Sequence, residues 1–338
     1  MGPAPPLGAV VRRLALLLLL AWVAPLAAQD GRVHVLLVTG LGGEPAEGRA
    51  FVEAATQIHE TARARWGVAD SSLIFLAERP AEDSARISGR STREEIAAAM
   101  LRLSRRAAAG DVLLVVVIGH GSGEGAESRV NLPGPDPTAA EWNLWLSGFA
   151  QQTVVAIVAA SGSGDFLPQL SGVNRVVMTA TKSPSERNAS IFASRISRAL
   201  SSGDADADKD GAVSALEAYR FAKAAVARAY DDDKKLLTEH AQLDDNGDKL
   251  GSVDPGVAPS LDGALAGRTT FQRRAESTDP RIVALIAERR ALEAQLSALR
   301  ARKASTDSTV YERDLENLLL EIAKRTRAIR QIEQGGPR

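Results

Sequence analysis

Residues Val112 to Gly123 read VLLVVVIGHGSG, seven consecutive aliphatic side chains followed by a histidine held between two glycines. An unbroken apolar run closed by glycine reads as a strand buried on both faces, as in the inner strands of a parallel sheet. Its carboxyl end carries His120, and in open α/β sheets ligands and chemistry gather at the carboxyl ends of strands. Glycine on either side lets the chain turn sharply and lets another segment come close. A plain strand-end turn with a half-exposed histidine accounts for the same residues, so the stretch marks a place and leaves the reaction open.

The flanking sequence repeats the pattern. Val33 to Thr39 (VHVLLVT) is apolar and runs into Gly40, Gly42 and Gly43, a spacing without the Lys-Ser/Thr of a P-loop or the full dinucleotide fingerprint, which reads as a tight strand-to-helix turn. Residues 46–66 carry helical spacing through Phe51, Ala55, Ile58 and Ala62, and Leu73 to Leu76 is a short strand. Ser91 to Ala109 is an alanine-rich helix opened by a capping-box spelling, Ser91 with Glu94. Strand, helix, strand, helix, strand predicts an α/β fold, a mostly parallel sheet flanked by crossover helices.

Beyond His120, the glycine- and proline-rich loop Ser122 to Pro137 holds a short strand at Arg129 to Leu132, and Thr138 to Ala150 is a helix. Thr153 to Ala159 (TVVAIVA) is another buried strand, delivering Ser161, Gly162, Ser163 and Gly164 to its end; Arg175 to Ala180 is one more. If the two glycine-flanked strand ends are neighbours, the His120 imidazole and the Ser161 hydroxyl share a cleft, as nucleophilic catalysis requires.

The strand ending in Gly119-His120-Gly121, followed by the strand ending in Ala159-Ala160-Ser161-Gly162-Ser163-Gly164, resembles the legumain-type (C13) peptidases of the caspase-like superfamily. VNLPGPDPTAA (Val130 to Ala140) and TATKSPSERN (Thr179 to Asn188) look like the bacterial branch of that family, and the resemblance covers about residues 33 to 260. It implies a caspase-like sheet, a catalytic histidine at His120 and a nucleophile position at Ser161, where the family carries cysteine after an acidic residue and an alanine. Here Ala159 stands at the acidic position, and the chain has no cysteine at all. A thiol of pKa about 8.5 is partly ionised at neutral pH, whereas a serine needs a base in contact and a partner orienting that base. The departure implies a degenerate peptidase that serves as a binding or scaffolding protein. The alternative is an active peptidase or transpeptidase using a Ser161/His120 dyad, with the Gly121 and Ser161 N–H groups as oxyanion donors.

The most specific motif comes after the sheet. Asp206, Asp208, Asp210, Gly211, Ala212, Ser214 and Glu217 fall at the diagnostic places of an EF-hand loop, residues 206–217. Carboxylates occupy positions 1, 3 and 5, Gly211 makes the bend, the Ala212 carbonyl serves position 7, Ser214 acts directly or through water, and Glu217 closes the shell. Oxygen donors in this number suit Ca²⁺ more than Mg²⁺. Helices at Ile191 to Leu200 and Ser214 to Tyr230 would flank the loop. A second acidic turn, Asp244 to Asp248, lacks the position-6 glycine and the closing glutamate, and is read as a turn first.

Residues 1–28 have the parts of a signal peptide: Arg12 and Arg13, an apolar core from Leu14 to Leu26, and small residues before Gln29. The expected location is therefore periplasmic or extracellular, with no stable membrane span after cleavage. Lysine plus arginine number 41 against 42 acidic residues, a net charge of −1 that does not advertise nucleic acid as a partner. The layout expected is a caspase-like domain over 29–255, a linker over 256–280 and a helical hairpin over 281–334, with Leu285, Leu292 and Leu299 seven apart and Leu315, Ile322 and Ile329 likewise. The cleft or the hairpin would take a protein or peptide partner, and the hairpin could also join two copies into a homo-oligomer. Arg289 and Arg325 at seam positions argue against a long regular coiled coil.

Overall fold

A computed structural model describes residues 31–272, 279–302 and 307–333. The expected signal peptide lies outside the described residues. In chain order the elements are β1 (Val33–Thr39), α1 (Pro45–Ala64), β2 (Leu73–Ala77), β3 (Gly89–Arg90), α2 (Arg93–Ser104), β4 (Val112–Gly119), β5 (Gly121–Ser122), β6 (Arg129–Val130), α3 (Ala139–Leu146) and β7 (Thr153–Ala160). Next come α4 (Phe166–Leu170), β8 (Arg175–Thr179), α5 (Phe192–Ser201), α6 (Ala215–Asp232), β9 (Gln242–Asp244), α7 (Ala264–Arg268), α8 (Pro280–Ala301) and α9 (Ser308–Glu333).

Seven strands form one sheet in the order β3-β2-β1-β4-β7-β8-β9. All neighbours run parallel except β9, which pairs antiparallel with β8. The unbroken apolar runs of β1, β4 and β7 are explained by burial on both faces. Val35, Leu37, Val116 and Ile157 pack on one side with α1, α5 and α6; Leu36, Val38, Val117 and Val158 pack on the other with α2, α3 and α4. The expected α/β class is therefore the observed one. From β1 the chain crosses to β2 on one side, and from β4 it crosses to β7 on the other, so the strand order reverses between β1 and β4. That reversal opens a crevice at the carboxyl ends of those two strands, where His120 stands.

Local readings are refined in three places. The cap of α2 is Thr92, whose side chain accepts from the Glu95 N–H at 3.3 Å, one residue later than the expected Ser91/Glu94 box. Ser91 is instead fully buried and donates its N–H to Ala77 O, prolonging the edge pairing of β2 and β3. The edge strand β9 has no signature in the sequence, because three residues are too few to show an alternating pattern.

The third refinement concerns 256–280, expected as a linker. Its first part is packed: Leu265, Ala266 and Phe271 belong to the core, and the Phe271 ring lies 5.1 Å from that of Trp66. Asp245 holds this segment by accepting the N–H groups of Gly263 at 2.8 Å and Ala266 at 2.7 Å. The folded unit thus extends to Gln272, and residues 273–278 lie outside the described residues. Beyond them α8 and α9 pack on each other, as the heptads predict, and Asp307 caps α9 by accepting the N–H groups of Thr309 and Val310.

Phe271→Ala should lower the unfolding free energy by about 3 kcal/mol or more, read by denaturant titration. A change near zero would return residues 256–272 to the status of a linker.

Candidate functional site

The parallel pairing of β4 with β7 sets Gly119 opposite Ala160, so the next residues, His120 and Ser161, leave the sheet side by side. The sequence condition, that the two strand ends be neighbours, is met. The approach is close enough to exclude a side chain at 121: a Cβ there would stand 2.1 Å from Ser161 O.

The hydrogen bonds do not form the expected dyad. Ser161 Oγ accepts from the Gly121 N–H at 3.3 Å, and the residue is 2 % exposed. His120 Nε2 lies 3.0 Å from Glu47 Oε2 and 3.3 Å from Gly42 O. Both partners are acceptors, so Nε2 donates in these contacts. Among the described residues no hydrogen bond joins the imidazole to Ser161. The Phe51 ring meets the imidazole edge-on at 5.3 Å. The Gly121 N–H, expected as an oxyanion donor, is occupied by the serine hydroxyl.

Two of these contacts escaped the sequence. Gly42 belongs to the glycine turn after β1, read as a structural turn, and Glu47 lies in the first turn of α1. The signal that could have found them is the strand order: β1 lies beside β4, so the loop leaving β1 meets the loop leaving β4. Asn131 ties the two, its N–H donating to His120 O at 2.9 Å while its carbonyl accepts the Leu41 N–H at 2.9 Å. The Thr179–Asn188 stretch closes over the serine. Gly162 N donates to Glu186 O at 2.7 Å, and the Glu186 carboxylate binds His240 Nδ1 at 2.6 Å and the His240 and Lys182 N–H groups at 3.1 Å.

In the acidic loop, Asp206, Asp208 and Asp210 each place a carboxylate oxygen within 4.8 Å of the others, an arrangement that could hold a metal ion. The loop folds around its own N–H groups: Asp206 accepts those of Asp210 and Gly211, Asp208 that of Asp210, and Asp210 that of Ala212. Gly211 has φ of 91°, the left-handed bend expected there. Ser214 caps α6 in a capping box with Glu217, whose other oxygen reaches back to the Ala207 and Asp208 N–H groups. Burial, together with the charges of Asp210, Glu217 and Asp206, pushes the Asp208 carboxyl up to about 6.

A cation from elsewhere in the chain addresses the same loop. Arg289 of α8, 3 % exposed, sets a guanidinium nitrogen 3.3 Å from Asp210 Oδ2. The seam arginine that disfavoured a regular coiled coil thus joins the hairpin to the loop. In the second acidic turn Asp244 accepts the N–H groups of Gly247 and Lys249 at 3.0 Å, while the Asp245 carboxylate is spent on Gly263 and Ala266.

A doubly covered α/β sheet with a histidine and a serine at adjacent strand ends, and an EF-hand-like acidic loop beyond it, defines the class of protein. No family model matches the chain, and no curated protein matches it. Among solved structures it is similar to the crystal structure of protein GSU0716 from Geobacter sulfurreducens, at 12% identity and a TM-score of 0.42, covering 63% of this chain and 92% of that one.

Gly121→Ala should cost on the order of 1–3 kcal/mol by forcing the two strand ends apart. Denaturation beside the wild type measures it, and a neutral substitution would mean that the ends can separate freely.

Proposed function

We propose that this chain is a caspase-like, legumain-related binding or scaffolding protein whose catalytic centre has decayed. The observation that carries the reading is the Ser161 hydroxyl: almost fully buried, and turned to the Gly121 N–H that catalysis would reserve for an oxyanion. A serine so placed has neither the base contact nor the open approach that acyl transfer requires. One contact favours the alternative, an active serine hydrolase: Glu47 stands behind His120 as an orienting acid does. A fluorophosphonate probe separates the two. The wild-type chain should remain unlabelled, and labelling that vanishes in Ser161→Ala would overturn the decayed-centre reading.

The second part of the proposal is Ca²⁺ at residues 206–217, held by Asp206, Asp208, Asp210, the Ala212 carbonyl, Ser214 and Glu217. The clustered carboxylates and the bend at Gly211 support it. The donors present fit a hard cation, which would neutralise the mutual repulsion of the acids and brace the start of α6. Chelation should lower the melting temperature, and Asp206→Ala should abolish the difference. Arg289→Met should widen it, because without the guanidinium the loop depends on the ion alone. A melting temperature indifferent to chelator in all three proteins would dispose of the site.

A further inference from the structure

A groove of about 360 Å³ runs between α5 and α6. From α5 come Arg195 and Arg198, one helical turn apart; from α6 come Phe221, Ala225 and Ala229 as a floor, with Arg228 and Asp232 beside it. The same helices bury other residues against the sheet, among them Phe192, Ile196, Tyr219 and Val226. Of the groove-lining residues Phe221 also packs against the core, while the three arginines, the two alanines and Asp232 lie outside it.

Charge points to what the groove accepts. Three guanidinium groups face a single carboxylate, Asp232. Among the described residues neither the Arg195 nor the Arg228 side chain has an ion-pair partner, and Arg198 reaches only Asp204, at 3.5 Å with both groups largely exposed. Arg195 Nε is buried without a hydrogen-bond partner. A buried donor on a charged group costs free energy; closed to solvent, this nitrogen is not itself a contact for a ligand in the groove. The floor adds a second requirement: the half-buried Phe221 ring, next to two alanines, leaves apolar space that a simple anion would not fill.

We infer that this groove docks an acidic segment of a partner protein, its carboxylates on Arg195, Arg198 and Arg228 and one aliphatic side chain on the Phe221–Ala225–Ala229 floor. The volume falls in the range of sites that enclose a drug-sized ligand, well beyond a single phosphate, and the apolar floor favours a segment that carries an aliphatic side chain among its acids over a polyphosphate chain. The inference needs neither Ser161 nor the acidic loop, so it can fail without the proposals above failing, and the reverse.

The test is fluorescence polarisation on the full chain with fluorescein-labelled peptides EELEE, QQLQQ and EEGEE. EELEE should bind saturably and at least about tenfold more tightly than either control, and its affinity should fall with ionic strength. Arg228→Glu, at an exposed position that leaves the core untouched, should weaken it about tenfold or more, and Arg195→Gln should weaken it independently. Equal binding of QQLQQ, unchanged binding by both variants, or displacement by inorganic phosphate as effective as by unlabelled EELEE would overturn the inference. The last result would reduce the groove to a plain anion site.

Discussion

The structure depends on the parallel register of β4 against β7. Eight residue pairs, from Val112 with Thr153 to Gly119 with Ala160, bring both strands to the edge of the sheet at one level. A slip by one residue would turn every side chain of the strand to the opposite face, sending Val116 from the α1 side to the α2 side and separating His120 from Ser161. With both faces buried a slip exposes no apolar side chain, so the register is held by the fit of each side chain into two close-packed layers rather than by alternation. Glycine at 121 is the local consequence, since the ends meet at a distance that only a residue without Cβ allows.

Around this seam, chemistry is legible in the sequence where it is local and illegible where it is assembled. The runs of β1, β4 and β7 declare themselves by composition, and the acidic loop by its spacing, because an EF-hand-like bend is encoded within a dozen residues. The partners of His120 are not local. Glu47 looks like an ordinary first-turn acid and Gly42 like an ordinary turn residue; they acquire meaning only once β1 is known to lie beside β4. Ser91 and Thr92 show the same limit at small scale, since two adjacent hydroxyl residues offer two caps and the edge pairing at Ala77 decides between them. The segment around Phe271 misleads for a different reason. Its Gly, Pro, Ser and Asp content signals turns, and turns can be packed as tightly as helices when buried carboxylates such as Asp245 satisfy their N–H groups.

Charge obeys a consistent rule across the molecule. Buried acids are met by backbone N–H groups or by a cation. Asp111, at the opposite end of the sheet from the site, is pushed up by burial yet held below its ordinary range by hydrogen bonds from His34, Ala108 and Arg32. Among the described residues the Asp208 carboxyl accepts only the Asp210 N–H, which burial and the neighbouring charges of Asp210, Glu217 and Asp206 outweigh, and it rises. Arg289 brings a positive charge to the adjacent Asp210, from beyond the chain's glycine-rich segment. A guanidinium is a bulky, directional cation that satisfies one carboxylate edge, whereas a calcium ion collects many oxygens at once.

The contact of Phe271 with Trp66 joins residues more than two hundred positions apart across the whole α/β unit. Trp66 sits at the end of the first crossover helix, among the first parts of the domain to be synthesised, and its ring is covered by almost the last. A chain ended between residues 245 and 270 would contain every strand and every crossover and still leave the core open at that corner. The boundary of the domain is therefore set by the arrival of one aromatic ring, and fragments drawn to the last strand would be cut short of it.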